Sequence, residues 1–183
     1  TGIRPAKIPG MLFEQGMREE QVRKTMKETY LISDEKLNLA IDISRRESRI
    51  LSDINYKEGY SLYVGIPFCP TTCLYCSFTS YPISMYKDKV DSYVDSVIKE
   101  IKFLGEQLKG RELNTVYIGG GTPTTLEPDQ MDRLITSLKE NFDFSTVREF
   151  TVEAGRPDSI TEENLKTLKK HNVSRISINP QTM

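Results

Sequence analysis

Tyr63-Val64-Gly65-Ile66-Pro67-Phe68-Cys69-Pro70-Thr71-Thr72-Cys73-Leu74-Tyr75-Cys76 carries all three cysteines of a 183-residue chain, spaced CxxxCxxC. The apolar residues before Cys69 read as a strand, and the proline-flanked segment that follows reads as a tight loop. Three thiolates in a short loop suit soft metals and iron-sulfur clusters. With only three protein ligands, a four-iron cubane keeps one iron open to a ligand from outside the protein. Two other uses of the cysteines stand beside this one. Zinc would need a fourth ligand, and His171 is the single histidine; alternatively the cysteines pack as small apolar residues. His171 is expected at the far end of a helix, on the opposite side of the sheet from the cysteine loop, where it meets the helix dipole.

Working outward, the same alternation recurs. Ser61 to Ile66 is the first expected strand. A long helix follows, with Val90, Tyr93, Val94, Val97, Ile98, Ile101, Leu104 and Leu108 on one face and Gly110 as its stop. Asn114 to Ile118 is a second strand, running into Gly119-Gly120-Gly121-Thr122-Pro123. Pro128 opens a helix carrying Met131, Leu134, Ile135 and Leu138. Glu149 to Ala154 is a third strand, Thr161 caps a helix with Leu165 and Leu168, and Ser174 to Ile178 is a fourth. Strands alternating with helices predict parallel pairing with right-handed crossovers. Functional residues then collect at the C-terminal ends of the strands. The cysteine loop, the glycine triplet, Glu153 and Asn179-Pro180-Gln181 all fall there.

Ahead of this pattern, residues 6 to 52 read as helical. Val22, Met26 and Tyr30 share a face, Ser33-Asp34-Glu35 starts a second helix, and Arg45-Arg46-Glu47-Ser48-Arg49 reads as a solvated face. The domain boundaries expected are a helical lead-in over 1–58 and a core over 59–183. Composition is that of a globular protein, at 37% hydrophobic and 28% charged. A net charge of -1 argues against a general nucleic-acid surface, so no nucleic-acid partner is expected. No apolar run is long enough for a membrane span. The first residues lack a signal-peptide layout, and an odd, clustered set of cysteines speaks for thiolate ligation over disulfides. The expected compartment is the cytoplasm.

CxxxCxxC with an aromatic, Tyr75, before the last cysteine resembles the radical S-adenosylmethionine (SAM) superfamily. Gly119-Gly120-Gly121-Thr122-Pro123 is similar to that family's glycine element, whose exposed backbone meets the amino group of SAM. Tyr63 to Cys69, the GGGTPT run and Arg175-Ile176-Ser177-Ile178-Asn179-Pro180-Gln181 narrow the resemblance to oxygen-independent coproporphyrinogen III oxidases. Glu153-Ala154-Gly155-Arg156-Pro157-Asp158 and the Asn-Pro-Gln-Thr-Met ending resemble a HemZ-type branch.

The resemblance implies the first four units of an α/β, partial (β/α) barrel, in which a cluster cleaves SAM to a 5'-deoxyadenosyl radical. It implies oxidative decarboxylation of coproporphyrinogen III to protoporphyrinogen IX in haem biosynthesis, with a flavodoxin or ferredoxin as low-potential donor. Haem chaperones on the same scaffold are the alternative. Cys69, Cys73 and Cys76 would hold a 4Fe-4S cluster. Tyr63, Tyr75, Gly120, Gly121, Thr122, Glu153 and Gln181 match positions that contact SAM. Glu153 would accept hydrogen bonds from ribose hydroxyls, and Arg156 would meet a carboxylate of SAM or substrate. On their own residues, Tyr63 reads equally as a packing aromatic and Glu153 as a solvated strand end. Two positions depart from relatives: Gly65 stands where many carry histidine, and Phe78 where some carry a fourth cysteine. Phe78 is shared with the chaperones. A barrel of this family has about six repeats, so four strands ending at Met183 predict a piece of a longer chain, with an open edge at the fourth strand and no competent substrate binding by these residues alone.

Overall fold

The computed structural model describes residues 4–180. The chain divides into two compact units between Asn55 and Tyr56. The first contains three helices, α1 (Lys7–Glu14), α2 (Glu19–Tyr30) and α3 (Asp34–Leu51). Val22 and Met26 from α2 meet Leu37 and Ile41 from α3 in a closed apolar cluster. Tyr30, expected on the same face, is exposed, because α2 ends there and Leu31 takes a left-handed turn (φ 50°). Ser33 occupies the N-cap position of α3, but its side chain makes no capping bond; Asp34 and Glu35 supply the negative charge of the first turn. Within the solvated basic cluster, Arg45 reaches back to Glu19 and lies 5.9 Å from the centre of the Phe13 ring, bracing all three helices.

The second unit holds β1 (Tyr60–Ile66), β2 (Phe68–Cys69), β3 (Tyr81–Pro82), α4 (Ile83–Tyr86), α5 (Val90–Gln107), β4 (Leu113–Gly120), α6 (Pro128–Asn141), β5 (Glu149–Gly155), α7 (Glu162–Lys170) and β6 (Arg175–Ile178). Four strands form one sheet in the order β1-β4-β5-β6, every pair parallel. This is the expected α/β arrangement. Its helix-facing side is apolar: Val64, Ile66, Val116, Ile118 and Val152 pack with Val90, Val94 and Ile101 of α5 and with Met131, Leu134, Ile135 and Leu138 of α6. Each such fully buried side chain contributes on the order of 1.5–3 kcal/mol, so the sheet and its helices form one cooperative layer pair.

The local start signals act as the residues dictate. Pro128 takes the first helical position of α6, and the Glu127 backbone N–H donates to Gln130 Oε1 at 3.0 Å in a reciprocal cap. Thr161 Oγ1 accepts from Asn164 N at 3.1 Å at the head of α7. α5 stops at Gln107, short of Gly110, whose positive φ of 83° serves the turn beyond the helix. His171 closes α7 as expected; its Nε2 lies 2.7 Å from Asp132 Oδ1 on α6.

β6 is an edge strand, and all four of its residues are exposed. β5 carries a register shift between Glu153, opposite Ser177, and Gly155, opposite Ile178. Gly155 has φ 61° there, and a Cβ on it would stand 2.6 Å from Thr122 Cγ2. The bulge therefore brings the end of β5 against the loop after β4.

Candidate functional site

Parallel strands place their C-terminal ends on one rim, and the cysteine loop leaves β1 at that rim. The loop is tied at its base by the short β2–β3 pairing, in which Phe68 faces Tyr81 and Cys69 faces Pro82. Tyr81 N donates to Pro67 O at 2.8 Å. From α5, Tyr93 secures the strand end with a 2.6 Å bond to Gly65 O and an edge contact with Phe68. This clasp has no sequence signature, being only two residues on each side.

The glycine triplet closes on the same loop. Gly121 N donates to Ile66 O and Thr122 N to Phe68 O, both at 2.7 Å. Added Cβ atoms show how tight the joint is. On Gly121 the Cβ would lie 2.8 Å from Cys69 Sγ and 2.6 Å from Phe68 O; on Gly120, whose φ is 112°, it would lie 3.0 Å from Ile66 N. Thr122 Oγ1 is a donor to Cys69 Sγ at 3.5 Å. Behind it, buried Thr124 donates from Oγ1 to Ala154 O at 2.7 Å and receives Asn164 Nδ2 at its carbonyl, which joins this loop to β5 and α7.

These loops enclose a cavity of about 460 Å³. Cys69, Cys73, Cys76 and Phe78 line it from the cysteine loop, Gly120, Gly121 and Thr122 from the loop after β4, and Glu153 and Arg156 from β5 and the turn after it. All three cysteines are free and partly exposed. Cys76 Sγ lies 3.8 Å from Phe78 O, and Cys76 N bonds Cys73 O at 3.0 Å. Among the described residues, no three His, Cys, Asp or Glu side chains are gathered as a ready metal cage. The pocket nonetheless fits a soft cluster: its donors are three thiols with no disulfide, and Ser80 Oγ in its wall is buried without a hydrogen-bond partner.

Electrostatics on the rim are set by two pairs. Arg156 is clamped to Asp158 (Nε to Oδ1 3.1 Å, Nη2 to Oδ2 2.5 Å) and donates from Nη1 to Thr71 Oγ1 at 2.7 Å. The bond with Asp158 pushes the guanidinium pKa up, so Arg156 stands as a fixed positive charge tied to the cysteine loop. Tyr75 is exposed at the loop tip, and its hydrogen bond with Cys73 raises its phenol pKa. On the sheet face turned away from the helices, Tyr117 donates to Glu153 Oε1 at 2.6 Å, and this bond pushes the Tyr117 phenol up to about 12. Tyr63, 62% exposed, stacks on Tyr117 with ring centres 5.8 Å apart. Its phenol is raised mainly by partial desolvation and then by Glu153.

The three cysteines, Gly120, Gly121, Thr122 and Glu153 thus share one pocket, and Arg156 joins them. Tyr63 and Tyr75 stand outside its lining, one on the sheet and one at the loop tip. Gln181 lies outside the described residues. His171 is absent from the pocket lining and is engaged with Asp132 between α6 and α7. Sequence reasoning passed over Tyr117 and Ser80. For Tyr117 a signal exists, since Tyr63-Val64-Gly65 and Tyr117-Ile118-Gly119 repeat one pattern on adjacent strands.

A family model described as the Radical SAM superfamily matches residues 63–183. The chain is 44% identical, over its whole length, to the oxygen-independent coproporphyrinogen-III oxidase-like protein HemZ of Bacillus subtilis, covering 37% of that protein. Over 67% of its length it is 39% identical to the heme chaperone HemW of Lactococcus lactis, covering 30% of it. Among solved structures, the coproporphyrinogen III oxidase HemN from Escherichia coli, a radical SAM enzyme, aligns with a TM-score of 0.58 and 31% identity, over 72% of this chain and 30% of that one. The chain spans 37% or less of the length of these relatives.

Proposed function

Because the chain belongs to the radical SAM superfamily, we propose that it carries the cluster and SAM site of an enzyme that converts coproporphyrinogen III to protoporphyrinogen IX without oxygen. In this reading residues 1–58 are a helical lead-in and 59–183 the catalytic core. The observation that carries it is the single pocket walled by the CxxxCxxC loop, the glycine triplet and Glu153, in a chain 44% identical throughout to a coproporphyrinogen-III oxidase-like protein. When bound, a 4Fe-4S cluster supplies one electron that splits SAM into methionine and a 5'-deoxyadenosyl radical able to take a hydrogen atom from substrate.

The chain's own residues would do the following. Cys69, Cys73 and Cys76 hold the cluster as thiolates. The backbone of Gly120, Gly121 and Thr122, bare of Cβ at the two glycines, meets the amino-acid end of SAM. Glu153 accepts hydrogen bonds from ribose hydroxyls. Arg156, held by Asp158, offers positive charge to a carboxylate. Tyr75 shields the open side of the loop, and Tyr63 and Gln181 complete the SAM contacts. Each of two substrate propionates then loses CO2, one hydrogen atom to the radical and one electron to an acceptor, leaving a vinyl group. A low-potential flavodoxin- or ferredoxin-type donor supplies the cluster's electron. Thiols that stay reduced in use fit the cytoplasm.

A second reading, haem binding by a chaperone, is favoured by the 39% identity to a heme chaperone over two-thirds of the chain. The test is anaerobic incubation of the full-length protein with coproporphyrinogen III, SAM and a reductant. Protoporphyrinogen formed together with 5'-deoxyadenosine supports the enzyme. Stoichiometric haem uptake with no decarboxylation sinks it in favour of the chaperone. Loss of the broad iron-sulfur absorption in Cys73→Ala is expected on either reading, and its persistence would remove the cluster assignment.

A further inference from the structure

Two tyrosines on adjacent strands are laid in the same way. Tyr63 and Tyr117 are register partners, as are Gly65 and Gly119 two residues further along. Period-two alternation puts each glycine on the same face as its tyrosine. Gly119 leaves a hollow into which Tyr117 leans: a Cβ there would stand 2.6 Å from Tyr117 Cε1 and 3.0 Å from Glu153 Cδ. Leaning toward the rim brings the phenol within 2.6 Å of Glu153 Oε1. Tyr63 backs the ring from the other side at an interplanar angle of 10°. Glu153 lines the cysteine pocket, whereas Tyr117 stands behind it.

From this geometry we infer that Tyr117 is a positioning residue: it holds one oxygen of Glu153 so that the other is free for the ribose hydroxyls of SAM, and Gly119 is the space that lets it do so. The inference rests on the proposed SAM site. The physical reason is pre-organisation. A half-buried carboxylate at the pocket rim samples several rotamers, and a bond from a stacked phenol removes that freedom before ligand arrives. The raised pKa of Tyr117 agrees, because the phenol stays protonated, and so a donor, through the neutral range.

SAM binding to the anaerobically reconstituted protein tests the inference in a double-mutant cycle. Tyr117→Phe keeps the ring and its stacking but removes the donor, and is expected to raise the Kd for SAM about five- to tenfold. In the Glu153→Ala background, which removes the acceptor, the same change is expected to have an effect of no more than about twofold. With an analogue lacking the ribose hydroxyls, the penalty is expected to vanish. A role in folding alone would give equal penalties in both backgrounds and for both ligands, and that result overturns the inference. Gly119→Ala is expected to weaken SAM at least as much as Tyr117→Phe. Gly65→Ala, whose Cβ would meet only Tyr63 Cε1 at 3.7 Å, is expected to leave binding unchanged.

A second readout needs no iron. In alkaline titration of tyrosine absorbance, the phenol ionising at about 12 should disappear in Tyr117→Phe and move down in Glu153→Gln; no movement in Glu153→Gln also overturns the inference. If wild type fails to bind SAM, the proposed function falls and takes the inference with it. SAM binding that is indifferent to Tyr117 leaves the proposed function standing and removes only the inference.

Discussion

In Gly121→Ala the new methyl group would stand 2.6 Å from Phe68 O, 2.8 Å from Cys69 Sγ and 3.0 Å from Ile66 O. Two of these atoms are carbonyl oxygens already receiving the loop's own 2.7 Å bonds from Gly121 and Thr122. The backbone of Gly121 does not take positive φ, so alanine meets no conformational penalty there. By limiting the unfolded chain it gains about 0.4–1 kcal/mol. Against that gain stand overpacking of a tight joint, about 1–3 kcal/mol, and two strained or lost hydrogen bonds at about 1 kcal/mol each. The sum is a destabilisation of about 3 kcal/mol, which lowers the urea midpoint by about 1.5 M when the slope is about 2 kcal/mol per M. Urea unfolding of the iron-free protein, followed by far-UV circular dichroism, reads the stability effect. Iron content after reconstitution reads the effect on the pocket, and is expected to fall because the loop can relax only by moving away from Cys69. A variant with an unchanged midpoint and full iron loading would refute the argument that the glycine triplet and the cysteine loop share one packed joint.

Three further outcomes follow from the same structure. Leu134→Ala, at a fully buried position of α6, should cost about 2–5 kcal/mol in urea unfolding. Thr124→Val removes the 2.7 Å bond to Ala154 O and the 2.8 Å bond with Ser159 Oγ, while Ser159 Oγ keeps Arg156 O, so thermal unfolding should show a loss of about 1–2 kcal/mol. Asp132 is held below the usual carboxylate range, first by Lys170 and then by His171. A depressed folded-state pKa gives stability that is fully present above the ordinary carboxylate pKa and is lost as pH falls through the folded value. Asp132→Asn should therefore flatten the acid limb of a stability-pH profile, and an acid limb identical to wild type would refute the linkage.

How much of this was legible in the residues divides by length scale. The parallel sheet was, because each strand is a short apolar run between helices with a clear 3.6-residue period, and burial of Met131, Leu134, Ile135 and Leu138 follows that period without exception. Convergence of the cysteines, the glycine triplet and Glu153 followed from parallel topology, which sends every strand's C-terminal end to one rim. What escaped was set by single contacts. Tyr30 is exposed because a left-handed Leu31 ends its helix, and Ser33 sits at an N-cap without bonding as one. The β2–β3 clasp is too short for any periodicity. Tyr117 read as one more aromatic in a strand, and its bond to Glu153 depends on the room above Gly119, which becomes visible only when two strands are in register.

The clasp that pairs Phe68 with Tyr81 and Cys69 with Pro82 has a thermodynamic consequence. Both ends of the cysteine loop are anchored by protein–protein bonds, so the entropy of closing it is met by folding and not by metal capture. On the proposed cluster site, iron loading and protein folding are then separate equilibria, unlike those of small metal domains that unfold when stripped. Loss of the proposed cluster in air should leave a folded protein whose three free cysteines still line one pocket. Its characteristic damage is then a disulfide within the loop, reversible by thiol reductant, and its recovery requires reduction and iron without any refolding step.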